Sequence, residues 1–310
     1  DHHQKIVVSS PSFSKSIKLV AELGQLCKVE KWNHQEGLSE DQLIDFIGDA
    51  TVLLVGKEPV SKKVLARCPQ LKFISKYGVG LDNLDQDACA TQSISIGWTP
   101  GVNATCVAEM TLGFMLALSR NLYATSILLK NGKWVKNGGQ NLSKKTVGII
   151  GVGHVGKKVI SLLKPFNCKI LANDIVDMDN YFAENNIQAT SKDVIYQQSD
   201  IITLHTPLTS LTNQLIDKDV FKLMKPTAFM INTARGKIMV EDDLQSALAN
   251  KTIAGAAADV FENEPQIAKQ LLEFPQFFAT PHIGGNSKEA VLKMGRSAIQ
   301  HIKQFLESNI

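Results

Sequence analysis

The chain reads as an α/β protein made of two doubly wound, Rossmann-like parallel-sheet domains. Three observations predict this. Short β-branched apolar runs alternate with longer helical stretches along all 310 residues, the pattern of parallel strands joined by crossover helices. Several of these runs are apolar throughout, as strands covered on both faces are. The length itself corresponds to about two domains.

In chain order, strands are expected at 5–9, 52–56, 71–75 and 94–98, then at 146–150, 169–174, 201–205, 228–233, 254–260 and 277–280. Between the fourth and fifth, residues 103–134 are rich in Ala, Leu and Met and free of proline, which predicts one long helix. Val107, Met110, Thr111, Phe114, Met115 and Leu118 share one face of it, a stripe that suits either the core or a subunit interface. Thr99-Pro100-Gly101 just ahead reads as a hinge. A last helix is expected over 286–307, capped by Asn286 or Ser287, with Lys288, Glu289, Lys293 and Arg296 on its solvated side.

Composition excludes several classes. With 44% hydrophobic and 20% charged residues and a mean hydropathy of -0.03, the chain is neither disordered nor fibrous. Its longest apolar runs, such as 146–152 and 253–260, fall far short of the ~20 residues of a membrane helix, so no membrane partner is expected. The net charge is +3, from 33 basic and 30 acidic residues with no long basic run, which argues against nucleic acid. The five cysteines are separated by 41, 21, 17 and 62 positions and fit neither a disulfide framework nor a zinc site, so no metal is expected. A cytoplasmic protein is the consequence. Asp1-His2-His3 resembles the remnant of an affinity tag and enters no functional argument.

Gly151-Val152-Gly153-His154-Val155-Gly156 directly follows the expected strand at 146–150 and opens a helical run. In that context the motif is a dinucleotide fingerprint. Gly151 permits the tight turn, Gly153 lets the main chain approach a pyrophosphate, and Gly156 lets helix and strand pack closely. The phosphates would sit on the His154 and Val155 amides at the helix N-terminus. Asp174, 18 positions past Gly156 at the end of the next strand, would accept hydrogen bonds from the ribose and repel a 2′-phosphate, which predicts NAD rather than NADP.

Arg235, Glu264 and His282 stand at or just beyond strand ends in the same half, where ligands bind in open parallel sheets. Reducing a 2-oxo acid by hydride needs a cation for carboxylate and carbonyl, and a proton donor for the developing alkoxide. The Arg235 fork can supply the first and the His282 imidazole the second. Glu264, if it touches His282, would fix the tautomer of the ring.

At this point the chain resembles the D-isomer-specific 2-hydroxyacid dehydrogenases, phosphoglycerate dehydrogenase-like members in particular. The carrying motifs are the glycine loop with Asp174, His205-Thr206-Pro207-Leu208-Thr209, Asn232-Thr233-Ala234-Arg235-Gly236, Ala258-Asp259-Val260-Phe261-Glu262 with Glu264-Pro265, and Thr280-Pro281-His282-Ile283-Gly284-Gly285. The resemblance implies that Arg235, Glu264 and His282 are catalytic. It also implies that His205, Thr206, Pro207, Thr233, Ala234, Asp259 and the turn from His282 through Gly284 and Gly285 border the cofactor, with Asp259 near the nicotinamide amide.

Lys76-Tyr77-Gly78-Val79-Gly80-Leu81-Asp82-Asn83 forms a matching substrate loop whose amides can make a small anion nest. By the resemblance, the Val79 and Gly80 amides bind the substrate carboxylate and Asn103 lies close by. Lys76 stands where phosphoglycerate-oxidising relatives often carry Arg, which leaves the phosphorylated substrate open.

The architecture so implied has a discontinuous substrate-binding domain, residues 1–99 and 286–310, and an NAD-binding domain, residues 100–285, flanking a cleft. A homodimer is implied as well, with part of its interface from 103–134. The short stretch after His282 predicts no appended amino-acid-binding domain. The function expected is NAD-dependent interconversion of a (R)-2-hydroxy acid and its 2-oxo acid: D-3-phosphoglycerate, or a small acid such as glyoxylate or hydroxypyruvate. The alternatives are an NAD(H)-sensing, corepressor-like binding protein and a phosphite-type dehydrogenase. Glu264 disfavours formate oxidation, whose enzymes typically carry Gln there.

Overall fold

The structure, a computed structural model, describes residues 5–34 and 36–308; Asp1-His2-His3 lie outside them. The chain divides into two compact units, one of residues Asp1–Asn103 with Gly285–Ile310, the other Ala104–Gly284.

In the first unit β1 (Ile6–Val8), β2 (Val29–Lys31), β3 (Val52–Val55), β4 (Phe73–Lys76) and β5 (Ser95–Gly97) form a parallel sheet in the order β2-β1-β3-β4-β5. Every residue of β1, β3 and β4 is buried, as apolar runs covered on both faces should be. The chain returns at its end to cover this sheet with the helix Lys288–Ser308. Ser287 Oγ accepts from the Ala290 amide at 3.1 Å, which makes Ser287 the side-chain cap. Lys288, Glu289, Lys293 and Arg296 are exposed as their spacing predicts. Ser75 Oγ donates to the Ala298 carbonyl at 2.8 Å, and the Phe73 and Phe305 rings stack at 4.5 Å.

The second unit holds β6 (Thr146–Ile150), β7 (Lys169–Asn173), β8 (Gln188–Ala189), β9 (Ile201–Leu204), β10 (Phe229–Asn232), β11 (Gly255–Ala258) and β12 (Phe277–Ala279). They are parallel, in the order β12-β11-β10-β9-β6-β7-β8. The chain runs outward from β6 to β8, crosses back to β9 on the other side of β6, and then proceeds to β12. β6 is therefore the topological switch point, and its C-terminal end is where such sheets bind ligands.

The expected single helix over 103–134 is corrected by the structure. It is two helices, Ala104–Ser119 and Leu122–Lys130, bent by 64°. Asn121 sits in the left-handed region at φ 51°, and the Ser119 carbonyl accepts from the Gln140 amide at 2.7 Å. A distant loop thus takes the carbonyl that the next helical turn would have used. The stripe on the first helix belongs to the core. Phe114, Met115 and Leu118 are buried with Val147, Ile149 and Val159, and Met110 packs against that cluster.

Candidate active site

The parallel register brings six strand ends of the second unit to one edge: Ile150, Asn173, Leu204, Asn232, Ala258 and Ala279. Every sequence-predicted residue of that half follows one of them. The glycine loop comes first. Gly151 has φ 91°, and a side chain there would collide with the His205 carbonyl, while one on Gly156 would strike the Gly151 carbonyl. Gly153 differs, because a Cβ there would meet nothing within 4 Å. Space beside Gly153 is therefore open, and it lies at the start of the helix His154–Leu163, which has no side-chain cap. The first amides of that helix have no intrahelical acceptors. An uncapped N-terminus behind an open glycine fits the pyrophosphate of a dinucleotide.

Asp174 faces the same loop. Its Oδ2 accepts from the Val152 amide at 2.6 Å and its Oδ1 from the Val176 amide at 2.9 Å, which leaves each oxygen a lone pair for a ribose hydroxyl. A hollow of about 310 Å³ lies beside it, lined in part by Val176, Met178, Phe182 and Thr190. His205 contributes through its main chain. Its amide donates to the Ile150 carbonyl at 2.8 Å, its Nε2 lies 2.9 Å from Thr203 Oγ1, and burial pulls the imidazole down to about 3, so the ring is neutral. Thr206 follows with a buried Oγ1 that has no partner among the described residues, an acceptor and donor available to a ligand. Pro207 is exposed.

The loop after β10 is locked by its own polar groups. Asn232 Nδ2 donates to the Arg235 carbonyl at 2.9 Å, the Ala234 amide donates to Asn232 Oδ1 at 3.1 Å, and Arg235 Nη1 donates to the Ala234 carbonyl at 2.7 Å. Thr233 Oγ1 lies 3.0 Å from Thr111 Oγ1. A side chain on Gly236 would fall on the Phe261 carbonyl, so the Arg235 loop lies against the loop that carries Glu264. That second loop is clasped in turn. The Glu241 amide donates to Glu262 Oε1 at 2.9 Å and the Glu262 amide to Glu241 Oε1 at 2.5 Å. Burial pushes the Glu241 carboxyl above the usual carboxylate range.

Glu264 and His282 meet. Glu264 Oε2 lies 2.7 Å from His282 Nδ1, and Glu264 Oε1 accepts from the Phe261 amide at 3.1 Å. With Nδ1 engaged, Nε2 is the nitrogen left for a substrate oxygen. Both side chains are 30% exposed, enough to reach a ligand. His282 takes φ 52°, a conformation that costs a non-glycine residue ~1 kcal/mol. Asp259 supplies the restraint. It is 1% exposed, its Oδ1 accepts from Thr280 Oγ1 at 2.7 Å and the Ile283 amide at 2.8 Å, and its Oδ2 accepts from the Gly284 amide at 2.7 Å. One buried carboxylate thus holds the main chain just after His282 and the Thr280 side chain just before it.

The family model for the D-isomer specific 2-hydroxyacid dehydrogenase NAD binding domain matches residues 112–284, more than half of the chain. The chain belongs to the D-isomer specific 2-hydroxyacid dehydrogenases. Its second unit is their NAD-binding domain. The hydroxypyruvate reductase of Thermotoga maritima is 34% identical over 86% of this dehydrogenase and 88% of its own length. The D-3-phosphoglycerate dehydrogenase of Methanocaldococcus jannaschii is 33% identical over 99% of this chain, which spans only 58% of that longer relative. A Polaromonas sp. JS6 66 structure assigned to the same family superposes with a TM-score of 0.90 at 27% identity, covering 98% of this chain and 97% of its own. The two parallel-sheet units are those the sequence predicts.

In the first unit of the dehydrogenase, the loop after β4 carries the other predicted residues. The Gly78, Val79 and Gly80 amides donate to no group among the described residues, as an anion nest requires. Lys76 is 5% exposed; its Nζ donates to the Gly56 carbonyl and, at 2.7 Å, to Asn83 Oδ1. Its charge therefore serves the loop from inside. Asn103 has a buried Oδ1 without a partner among the described residues, and a side chain on Gly285 would meet its Nδ2 at 2.7 Å. Sequence reasoning missed Trp98, whose Nε1 donates to the Val79 carbonyl at 2.8 Å, and Thr111, noted only as part of a core stripe.

Proposed function

We propose that the protein reduces small 2-oxo acids such as glyoxylate and hydroxypyruvate to their 2-hydroxy acids, of R configuration where C2 is a stereocentre, and catalyses the reverse reaction. The observation that carries this reading is the 2.7 Å contact between Glu264 and His282 on the same sheet edge as Arg235. Bound NAD(H) supplies or accepts the hydride. Arg235 engages the carboxylate and carbonyl oxygens of the substrate and stabilises the charge that develops there. His282 Nε2 donates the proton to the nascent alkoxide and recovers it in the oxidative direction. Glu264 holds the ring through Nδ1 and balances the imidazolium. The Val79 and Gly80 amides take the substrate carboxylate, with Asn103 beside it.

On the cofactor side, Gly151, Gly153 and Gly156 with the His154 and Val155 amides seat the pyrophosphate, and Asp174 takes the ribose hydroxyls. His205, Thr206, Pro207, Thr233, Ala234, Gly284 and Gly285 border the remaining cofactor, and Asp259 acts by holding the His282 turn. The enzyme works as a homodimer through the helix Leu122–Lys130, which buries none of its residues and leaves Leu129 55% and, just beyond, Trp134 79% exposed. Sedimentation of the wild type and Leu129→Lys tests that surface. Its five free thiols accord with a reducing, cytoplasmic setting.

The deciding assay follows NADH absorbance at 340 nm with glyoxylate, hydroxypyruvate and 2-oxobutyrate. Turnover by the wild type, with a loss of ~10²- to 10⁴-fold in His282→Ala at undiminished NADH affinity, is expected. A wild type that binds NADH and turns over none of these acids overturns the assignment.

A further inference from the structure

We infer that Trp98 determines specificity at the substrate loop: its indole pins the nest that holds the acid, and its open face receives an uncharged side group. This rests on the functional reading above. Trp98 directly follows β5, and β5 pairs with β4 in the register Ser75↔Gly97, so Trp98 and the loop after Lys76 leave the same sheet edge side by side. The indole Nε1 donates to the Val79 carbonyl at 2.8 Å. That bond fixes the peptide whose carbonyl belongs to Val79 and whose amide belongs to Gly80. It therefore sets the direction of one of the two N–H groups proposed to grip the carboxylate.

The ring is also available. Trp98 remains 38% exposed, whereas Tyr77, at the root of the same loop, is 7% exposed. The face of the indole is apolar and carries the negative side of its quadrupole, which welcomes an alkyl or hydroxymethyl group and repels a phosphate. Lys76 donates to the Gly56 carbonyl and Asn83 Oδ1 from inside the loop, so its ammonium is held there and does not extend to pair directly with a substrate phosphate. The side group preferred here is small and uncharged.

Two substitutions separate the two roles. Trp98→Phe keeps an aromatic wall and loses the donor; Trp98→Gln keeps an N–H donor and loses the wall. Glyoxylate has no side group, whereas 2-oxobutyrate has an ethyl group. The pinning role predicts that Trp98→Phe raises KM for both acids about five- to tenfold, the scale of one lost hydrogen bond, with kcat moved far less and NADH affinity unchanged. The wall predicts that Trp98→Gln raises KM for 2-oxobutyrate several-fold more than for glyoxylate. Melting curves of both variants identify any loss of folding, and the ratio between the two acids within one variant is independent of the folded fraction. If the wild type reduces these acids and both variants keep wild-type KM values and the wild-type ratio, the Trp98 inference falls alone. If the wild type reduces none of them, the functional reading falls and takes this one with it.

Discussion

Asp259→Asn isolates the restraint on the His282 imidazole. The wild-type carboxylate accepts from Thr280 Oγ1, the Ile283 amide and the Gly284 amide, and hydrogen bonds to a charged acceptor contribute ~1.5–3 kcal/mol each. Asparagine keeps one acceptor oxygen. If that oxygen stands at Oδ1, the new amide nitrogen faces the Gly284 N–H donor to donor, so one bond is lost and two buried donors are left opposed. A destabilisation of about 3 kcal/mol follows, from the lost bond plus the cost of the unsatisfied groups. The catalytic loss has a separate origin. Gly284 lies two residues after His282, and once its amide is no longer held, the turn that keeps His282 at its left-handed φ relaxes and the ring leaves Glu264. We expect kcat to fall about 100-fold, within the range of a lost general acid. Urea midpoints measure the first effect and single-turnover NADH oxidation the second. A variant that is destabilised as calculated but retains kcat within threefold would falsify the positioning role, since the main-chain grip would then have no bearing on the imidazole.

Three other perturbations probe the cofactor edge and the core beneath it. Gly153→Ala should fold with nearly wild-type stability, since a Cβ there meets nothing within 4 Å, yet lose NADH affinity at least tenfold because the methyl occupies the pyrophosphate approach; unchanged NADH titrations would reject that path. Asp174→Ala should narrow the ratio of kcat/KM for NADH over NADPH at least tenfold, and a fixed ratio would remove the ribose contact. His205 is held neutral down to about pH 3, whereas the unfolded chain protonates it near 6.5. Between those values the unfolded state binds the extra proton, so stability drops as pH falls, by at most ~1.4 kcal/mol per pH unit. His205→Gln should flatten that slope in urea midpoints taken at pH 7, 5.5 and 4.5, and an unaltered slope would assign the acid sensitivity to other groups.

Ten of the twelve strands among the described residues were legible because they are apolar runs bounded by turns. The two that escaped, β2 and β8, are short sheet edges of three and two residues without a fully buried position; hydrophobic pattern carries no signal where neither face is covered. The break at Asn121 was equally silent, because it depends on the Gln140 amide reaching Ser119, a contact local propensity does not encode. At the candidate active site, residue types and strand-end positions point to Arg235, Glu264 and His282, and the structure brings Glu264 and His282 into contact. What they could not reveal was division of labour. Lys76 looks in sequence like a ligand for anions, yet its stem is buried and its ammonium braces a loop. Asp259 is expected beside the nicotinamide; what the sequence did not reveal is that it also accepts from Thr280 Oγ1 and the Ile283 and Gly284 amides and so holds the His282 turn. Trp98 escaped notice because an aromatic residue at a strand end is ordinarily core, and only its bond to Val79 distinguishes it.

The return of the final helix to the first unit has a consequence for biosynthesis. Residues 104–284 are contiguous, so the nucleotide-binding half possesses all its strands as soon as Gly284 has left the ribosome. The amino-terminal half, made earlier, waits until Lys288–Ser308 emerges to cover Ser75, Phe73 and Leu19. The part translated first is thus the last to mature, and until then its bare sheet is the surface most in need of chaperone protection.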